Sequence, residues 1–169
     1  RGVETQYIAA SMKLVDTMEE YDLLEQMLEE SKPPAVHSAT PKHFLLLSPF
    51  SYFPQHSSRF RPGHLSGLWY GSSTLPGACS EIAYWRMRFI LDSAGLASGS
   101  AVVTEHTFYQ ATVQGQAINL MGAPWVDFSH LWKHFSDYSG THKLAEAAIN
   151  AGVPWIQYES VRSPSCSLA

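Results

Sequence analysis

The spacing of apolar and polar positions divides the chain into a helical opening, a mixed middle and a closing strand. Residues 3–15 carry Val3, Tyr7, Ile8, Met12 and Val15 at helical spacing, which predicts one apolar helix face. Asp16 reads as the N-cap of a second helix, with Glu19 in capping-box position. That helix, over 17–31, has Leu24, Met27 and Leu28 on one side and Glu19, Glu20, Glu25, Glu29 and Glu30 on the other. Such an acidic run is the solvated face of a helix. Lys32-Pro33-Pro34 ends it, because proline cannot continue a helix and restricts the residue before it. After a polar linker over 35–42, His43–Leu47 is a short apolar run expected as a buried strand, and Leu68-Trp69-Tyr70 as a second.

Further on, Thr74 is a suitable N-cap and Pro76 fits a first helical turn. The helix predicted over about 75–92 repeats apolar residues at Ala78, Ile82, Trp85 and Phe89, with Glu81 close to that face. Residues 101–113 are β-rich, Gly115 breaks the run and 117–121 resume it, so a hairpin is expected. Residues 122–138 are aromatic and irregular, with room for a helical turn or two. Ser139 or Thr141 is then expected to cap a helix over 142–151, ended by Gly152 and Pro154. The last element, 155–161, alternates as a strand. Helices and strands mix without a βαβ rhythm, which predicts an α+β fold with mixed, mainly antiparallel sheets and flanking helices.

Composition narrows the function. A chain of 169 residues buries a core without staples. Its net charge of −4 argues against a general nucleic-acid binder, which needs a basic surface. Cys79 and Cys166 make no metal spacing; Cys79 inside a helix reads as a buried free thiol, and a reducing, cytoplasmic setting is expected. No apolar run approaches the ~18 residues of a membrane span.

The candidate chemistry sits between Ser57 and Phe89. Arg59 and Arg61 flank Phe60, and in an extended segment both guanidinium groups point the same way, matching a diphosphate or a carboxylate. Two surface arginines in a loop would have the same spacing. Glu81 is the one acid between Glu30 and Asp92. On an apolar helix face it is either paired with a buried arginine or a catalytic carboxylate that stabilises positive charge on a sugar. Arg86 and Arg88 lie on other faces of that helix and read as structural. Tyr52 and Tyr70, at strand ends, could stack a flat ring, donate a hydrogen bond or simply pack. His130 and His134 have i, i+4 spacing but no HExxH or Cys partner, so no metal is expected. Walker, GxGxxG and GxSxG motifs are absent.

Taken together, SRFRPG (Ser58–Gly63), LWYG (Leu68–Gly71), PGACSEIAYWRMRF (Pro76–Phe89) and YESVR (Tyr158–Arg162) resemble the RES domain over roughly residues 40–165. Residues 1–34 resemble the N-terminal helical extension of one subgroup, leaving 35–169 as the RES domain. The resemblance implies an ADP-ribosyltransferase-like fold and consumption of NAD⁺ by cleavage of its nicotinamide–ribose bond. The acceptor of ADP-ribose would be water, phosphate or a protein. It also implies a toxin held in check by an Xre-like antitoxin that blocks the site. Matched position by position, Glu81 is the family glutamate, Ser160 the family serine, Arg59 the arginine of the SRF segment and Tyr70 the tyrosine of the following strand. On that pattern Arg59 and Arg61 would hold the diphosphate, and Tyr52 and Tyr70 the nicotinamide end. Glu81 would stabilise an oxocarbenium-like sugar, and Ser160 would hydrogen-bond the ribose or the glutamate. Ser51-Tyr52 stands where members often read Arg-Tyr, a departure that implies a weaker clamp unless Arg59 or Arg61 substitutes. A binding module without turnover is the alternative. A phosphoesterase would need a metal-binding carboxylate cluster, which the sequence does not show.

Overall fold

The computed structural model of the chain describes residues 1–5, 7, 9–32, 43–97, 99, 101–163 and 167–168. In chain order the described elements are β1 (Gly2–Glu4), α1 (Met18–Glu30), α2 (Phe44–Leu47), α3 (Leu75–Asp92), α4 (Ala94–Ala97), β2 (His106–Phe108), β3 (Ala117–Asn119), α5 (Ser129–Trp132), α6 (Ser139–Asn150), β4 (Trp155–Glu159) and β5 (Ser167–Leu168). Short 3-10 turns occupy Ala10–Lys13, Ser48–Phe50 and Trp125–Phe128. The fold is α+β. The expected boundary at 34/35 and Cys166 lie outside the described residues.

Two small sheets organise it. β1 pairs antiparallel with β2, Gly2 facing Phe108 and Glu4 facing His106. The other sheet has the order β3-β4-β5, with β3 parallel to β4 and β4 antiparallel to β5. A parallel pair needs a crossover, and residues 120–154, with α5 and α6, supply it. The hairpin expected over 101–121 is therefore not formed: its two arms join different sheets, through partners remote in sequence that a local pattern does not reveal. The same competition replaces the helix expected over 3–15: Gly2–Glu4 is a strand, in which Val3 finds a cross-strand partner in Thr107, and Ala10–Lys13 is a 3-10 turn.

Local chemistry explains the helix starts. Thr17 and Glu20 close a reciprocal capping box on α1, one residue later than the Asp16/Glu19 pair expected: the Glu20 N–H donates to Thr17 Oγ1 at 3.2 Å, and Oε2 accepts from the Thr17 N–H at 3.1 Å. α3 begins as expected, with Thr74 Oγ1 accepting from the Gly77 N–H and Pro76 in the first turn. Phe44–Leu47 is a helical turn rather than a strand; an apolar run this short fits either, and the His43 ring nitrogen accepting from the Leu45 N–H starts the turn. Leu68-Trp69-Tyr70 belongs to no sheet ladder. α6 starts at Ser139 without a side-chain cap on Tyr138, its first N–H taken by the Asp137 carboxylate. It ends in a Schellman motif: Gly152, at φ +68°, donates to Ile149 O and Val153 to Ala148 O.

The core joins these parts. Phe60, Leu120, Trp132, Ala145 and Tyr158 form its buried cluster, with Tyr70, Ile118, Trp125, Leu144 and Ile156 packed around it. Phe60 meets Tyr158 edge-on at 4.7 Å. Cys79, expected to be buried, is exposed. It stands about 100° around the helix from Ala78, which is the position that packs inward.

Candidate active site

One side of α3 carries Ala78, Glu81, Ile82, Trp85, Arg86 and Phe89, at i, i+3/i+4 spacing, and all six line a cavity of about 530 Å³. From Ala78 to Phe89 that wall runs about 16 Å along the helix. The volume lies in the usual range for small-molecule and cofactor sites. The opposite walls come from the turn at Ser58 and Arg59, from Tyr70, Tyr138 and Tyr158, from Arg162, and from residues 1–4 with His106.

At its centre the two oxygens of Glu81 are held separately. Ser160 Oγ donates to Oε1 at 2.7 Å and Arg162 Nη1 to Oε2 at 3.1 Å. The Arg162 side chain is 8% exposed and that of Glu81 19%, so the ion pair is largely withdrawn from water. Burial disfavours the charged Arg162 guanidinium, but Glu81, together with Tyr84 and Tyr138, outweighs it and raises the pKa above its ordinary value. The guanidinium also lies over the Tyr84 ring, 3.8 Å from its centroid. Ser160, 2% exposed, accepts in return from the N–H groups of Arg162 (3.1 Å) and Ser163 (3.0 Å). Its hydroxyl is thus fully used, with one proton given and two received. It orients Glu81 and has nothing left for a ligand.

The two arginines of the SRFR segment have separate fates. Ser58 and Arg61 exchange backbone hydrogen bonds, Arg61 N–H to Ser58 O at 3.0 Å and Ser58 N–H to Arg61 O at 2.9 Å, so the segment is a tight turn and not extended. The expected parallel pair of guanidinium groups does not form. Arg61 is buried and gives its hydrogen bonds to the carbonyls of Pro54, His56, Pro62 and Leu65, tying the loop shut away from the cavity. Arg59, 5% exposed, faces the cavity. Its Nη1 donates to Trp132 O at 2.5 Å and His134 O at 2.9 Å, while Nη2 is buried without a hydrogen-bond partner among the described residues. Burial lowers the Arg59 pKa, with Tyr138, Tyr158 and Glu81 opposing and Arg162 adding to the fall. These groups are close enough to act as one electrostatic cluster.

Tyr70 supports the turn instead of offering an open face. Its hydroxyl bonds Ser58 Oγ at 2.9 Å and accepts from the Phe60 N–H at 3.1 Å, while its ring lines the cavity and packs on the core. Tyr52 is half exposed, and neither it nor Ser51, whose hydroxyl donates to Leu47 O at 3.3 Å, lines the cavity. Arg88 pairs on the surface with Asp92 at 3.6 Å. Arg86, expected to be structural, pairs with Glu4 and lines the cavity as well.

The cavity residues that sequence reasoning passed over include Arg162, Tyr158 and Tyr138. Tyr158 is within reach, since it stands two residues before Ser160 and shares its face in the strand expected over 155–161. Arg162 lies beyond the strand end, where no periodicity applies. Tyr138 sits in an irregular segment that gives no pattern at all.

The RES domain family matches residues 35–169. The chain is a RES-domain protein. The family is associated with NAD-related toxin function. A search of curated proteins found no match. Among the described residues no group of His, Cys, Asp and Glu could hold a metal ion, and no helix is long and apolar enough to cross a membrane.

Proposed function

We propose that this RES-domain protein is an NAD⁺-consuming toxin that cleaves the nicotinamide–ribose bond and passes ADP-ribose to an acceptor: a protein, phosphate or water. The observation that carries this reading is the charge of the cavity. Four arginines (Arg1, Arg59, Arg86, Arg162) line it against two glutamates (Glu4, Glu81), a surplus of two positive charges in a chain whose net charge is −4. An electropositive, partly apolar cavity inside an acidic protein suits an anionic ligand with flat rings.

The chemistry follows from Glu81. Breaking the C1′–N bond leaves the electron pair on nicotinamide, which departs neutral, and positive charge develops on the ribose. A carboxylate held on both oxygens, by Ser160 Oγ and Arg162 Nη1, faces the reacting sugar in a fixed orientation and needs no reorganisation as positive charge develops. The acceptor oxygen then supplies the electron pair to C1′ and releases its proton to solvent. Arg59, in the cavity wall, would take the diphosphate, and Tyr70 and Tyr158 would bound the sugar end. Ser160 and Arg162 serve as positioning residues for the carboxylate. The weaker clamp implied by Ser51 draws no support from the geometry, because that residue stands outside the cavity.

A toxin of this kind works on cytoplasmic NAD⁺ and needs restraint. An Xre-like antitoxin covering the cavity is the partner this reading calls for. The exposed Phe128 and Phe135 and the unburied apolar side chains of α1 offer contact surface. The test is incubation with NAD⁺ and assay of free nicotinamide. The native chain should release it and Glu81→Gln should do so about 10²-fold more slowly, as for the loss of one electrostatic stabiliser; equal rates would remove Glu81 from the chemistry.

A further inference from the structure

The family match starts at residue 35, yet part of the cavity wall is built by residues 1–4. β1 is fastened there on two sides. Toward β2, the Thr5 N–H donates to Glu105 O at 2.9 Å, the Tyr109 N–H to Arg1 O at 3.0 Å, and the hydroxyls of Thr5 and Thr107 meet at 2.8 Å. Toward α3, Glu4 pairs with Arg86. The approach is close: a Cβ on Gly2 would overlap Ile82 Cδ1 and stand 2.7 Å from Phe108 Cε1, so these side chains would have to shift to admit one.

We infer that the segment ahead of the RES domain forms the wall against the distal half of the ligand and sets which ligands the cavity accepts. The inference rests on the NAD⁺ reading above. Along the lining face of α3, Ala78 lies one turn, about 5 Å, before Glu81 or Ile82, whereas Phe89 lies two turns, about 11 Å, beyond them. With the ribose at Glu81, the longer adenosine diphosphate part needs the longer arm. That arm is the one walled by β1. It presents the Trp85 and Phe89 rings, with His106, to a flat base and Arg86 to phosphate charge. Glu4, paired to Arg86, subtracts from that positive charge and so tempers binding of the distal part.

The test measures binding by calorimetry with the full chain, using ADP-ribose, which carries the distal half, and nicotinamide mononucleotide, which lacks the adenosine. Gly2→Val pushes the wall or Ile82 into the long arm. It should weaken ADP-ribose by about 10-fold or more, the usual scale for a misfitted aliphatic group, with nicotinamide mononucleotide little changed. Glu4→Ala leaves the backbone pairing intact and frees Arg86, so ADP-ribose should tighten by about threefold, and more than the mononucleotide. Thermal melts establish that each variant folds; where Gly2→Val does not, Glu4→Ala decides alone. Equal changes for both ligands, or none for ADP-ribose, overturn the inference and leave the NAD⁺ reading standing. Failure of the native chain to bind either probe removes both.

Discussion

Ser160 Oγ reaches back 79 residues to give its only proton to Oε1 of Glu81, at 2.7 Å. The loop after β4 and the second turn of α3 are thereby fixed to each other at the carboxylate. Ser160→Ala should lower the rate of nicotinamide release about 10- to 100-fold, the effect of a misplaced group, with KM nearly unchanged. It also takes away the acceptor of the Arg162 N–H, at a cost of about 1–3 kcal/mol in urea unfolding. A raised KM with an intact rate would mean that Ser160 binds substrate directly and does not act through Glu81.

Arg162 and Glu81 form a pair in which removing one partner costs more than removing both. Arg162→Met strands a carboxylate in a mostly buried site and should destabilise the fold by about 3 kcal/mol. The double variant Arg162→Met/Glu81→Gln has no charge left to strand and should recover at least half of that loss. Urea midpoints of the four proteins complete the cycle. Strict additivity would show that the contact contributes nothing to the folded state.

These two relationships indicate which parts of the molecule the sequence could reveal. Helices announce themselves locally: Thr74, Pro76 and the apolar repeat of α3 are neighbours in the chain, and so are Ala148 to Val153 at the end of α6. Strand pairing does not. Val3 reads as part of a helix until Thr107 is beside it, and β3 reads as half of a hairpin until β4 takes it in parallel. At the site, Glu81 stood out because an acid on an apolar face requires a reason. Arg59 and Arg61 looked equivalent because spacing carries no information about a turn, and the turn at Ser58–Arg61 sends one to the cavity and the other into its own loop.

That divergence separates two otherwise similar substitutions. Arg61→Lys cannot satisfy four carbonyls of one loop and should lower the melting temperature while KM for NAD⁺ in the folded fraction stays put. Arg59→Lys loses the planar guanidinium that bonds the Trp132 and His134 carbonyls at the cavity wall, so KM should rise several-fold. Ser51→Arg, outside the cavity, should change neither. Nicotinamide-release kinetics on protein checked by thermal melts distinguishes the three; a KM effect confined to Arg61→Lys would reverse the assignment.

The buried tyrosines give the fold an alkaline limit. Burial, reinforced by Tyr70 and Glu81, holds the Tyr158 hydroxyl well above its ordinary 10.0 against the opposing pull of Arg59 and Arg162. Burial also raises Tyr70, against its hydrogen bonds to Ser58 and Phe60 and the nearby Arg61 and Arg59. In the unfolded chain both ionise near 10.0. The folded state therefore keeps its protons longer, and by linkage their contribution is complete below pH 10 and declines as pH rises through the folded values. Urea midpoints should be level between about pH 7 and 9 as far as these groups are concerned, and fall above about 10. Tyr158→Phe retains the ring against Phe60 and removes one titrating group, so its midpoint should fall less steeply over the same range. Phenolate absorbance of the native protein should lag behind that of the urea-unfolded chain at the same pH. An alkaline slope identical in the native protein and in Tyr158→Phe would place the limit on other groups.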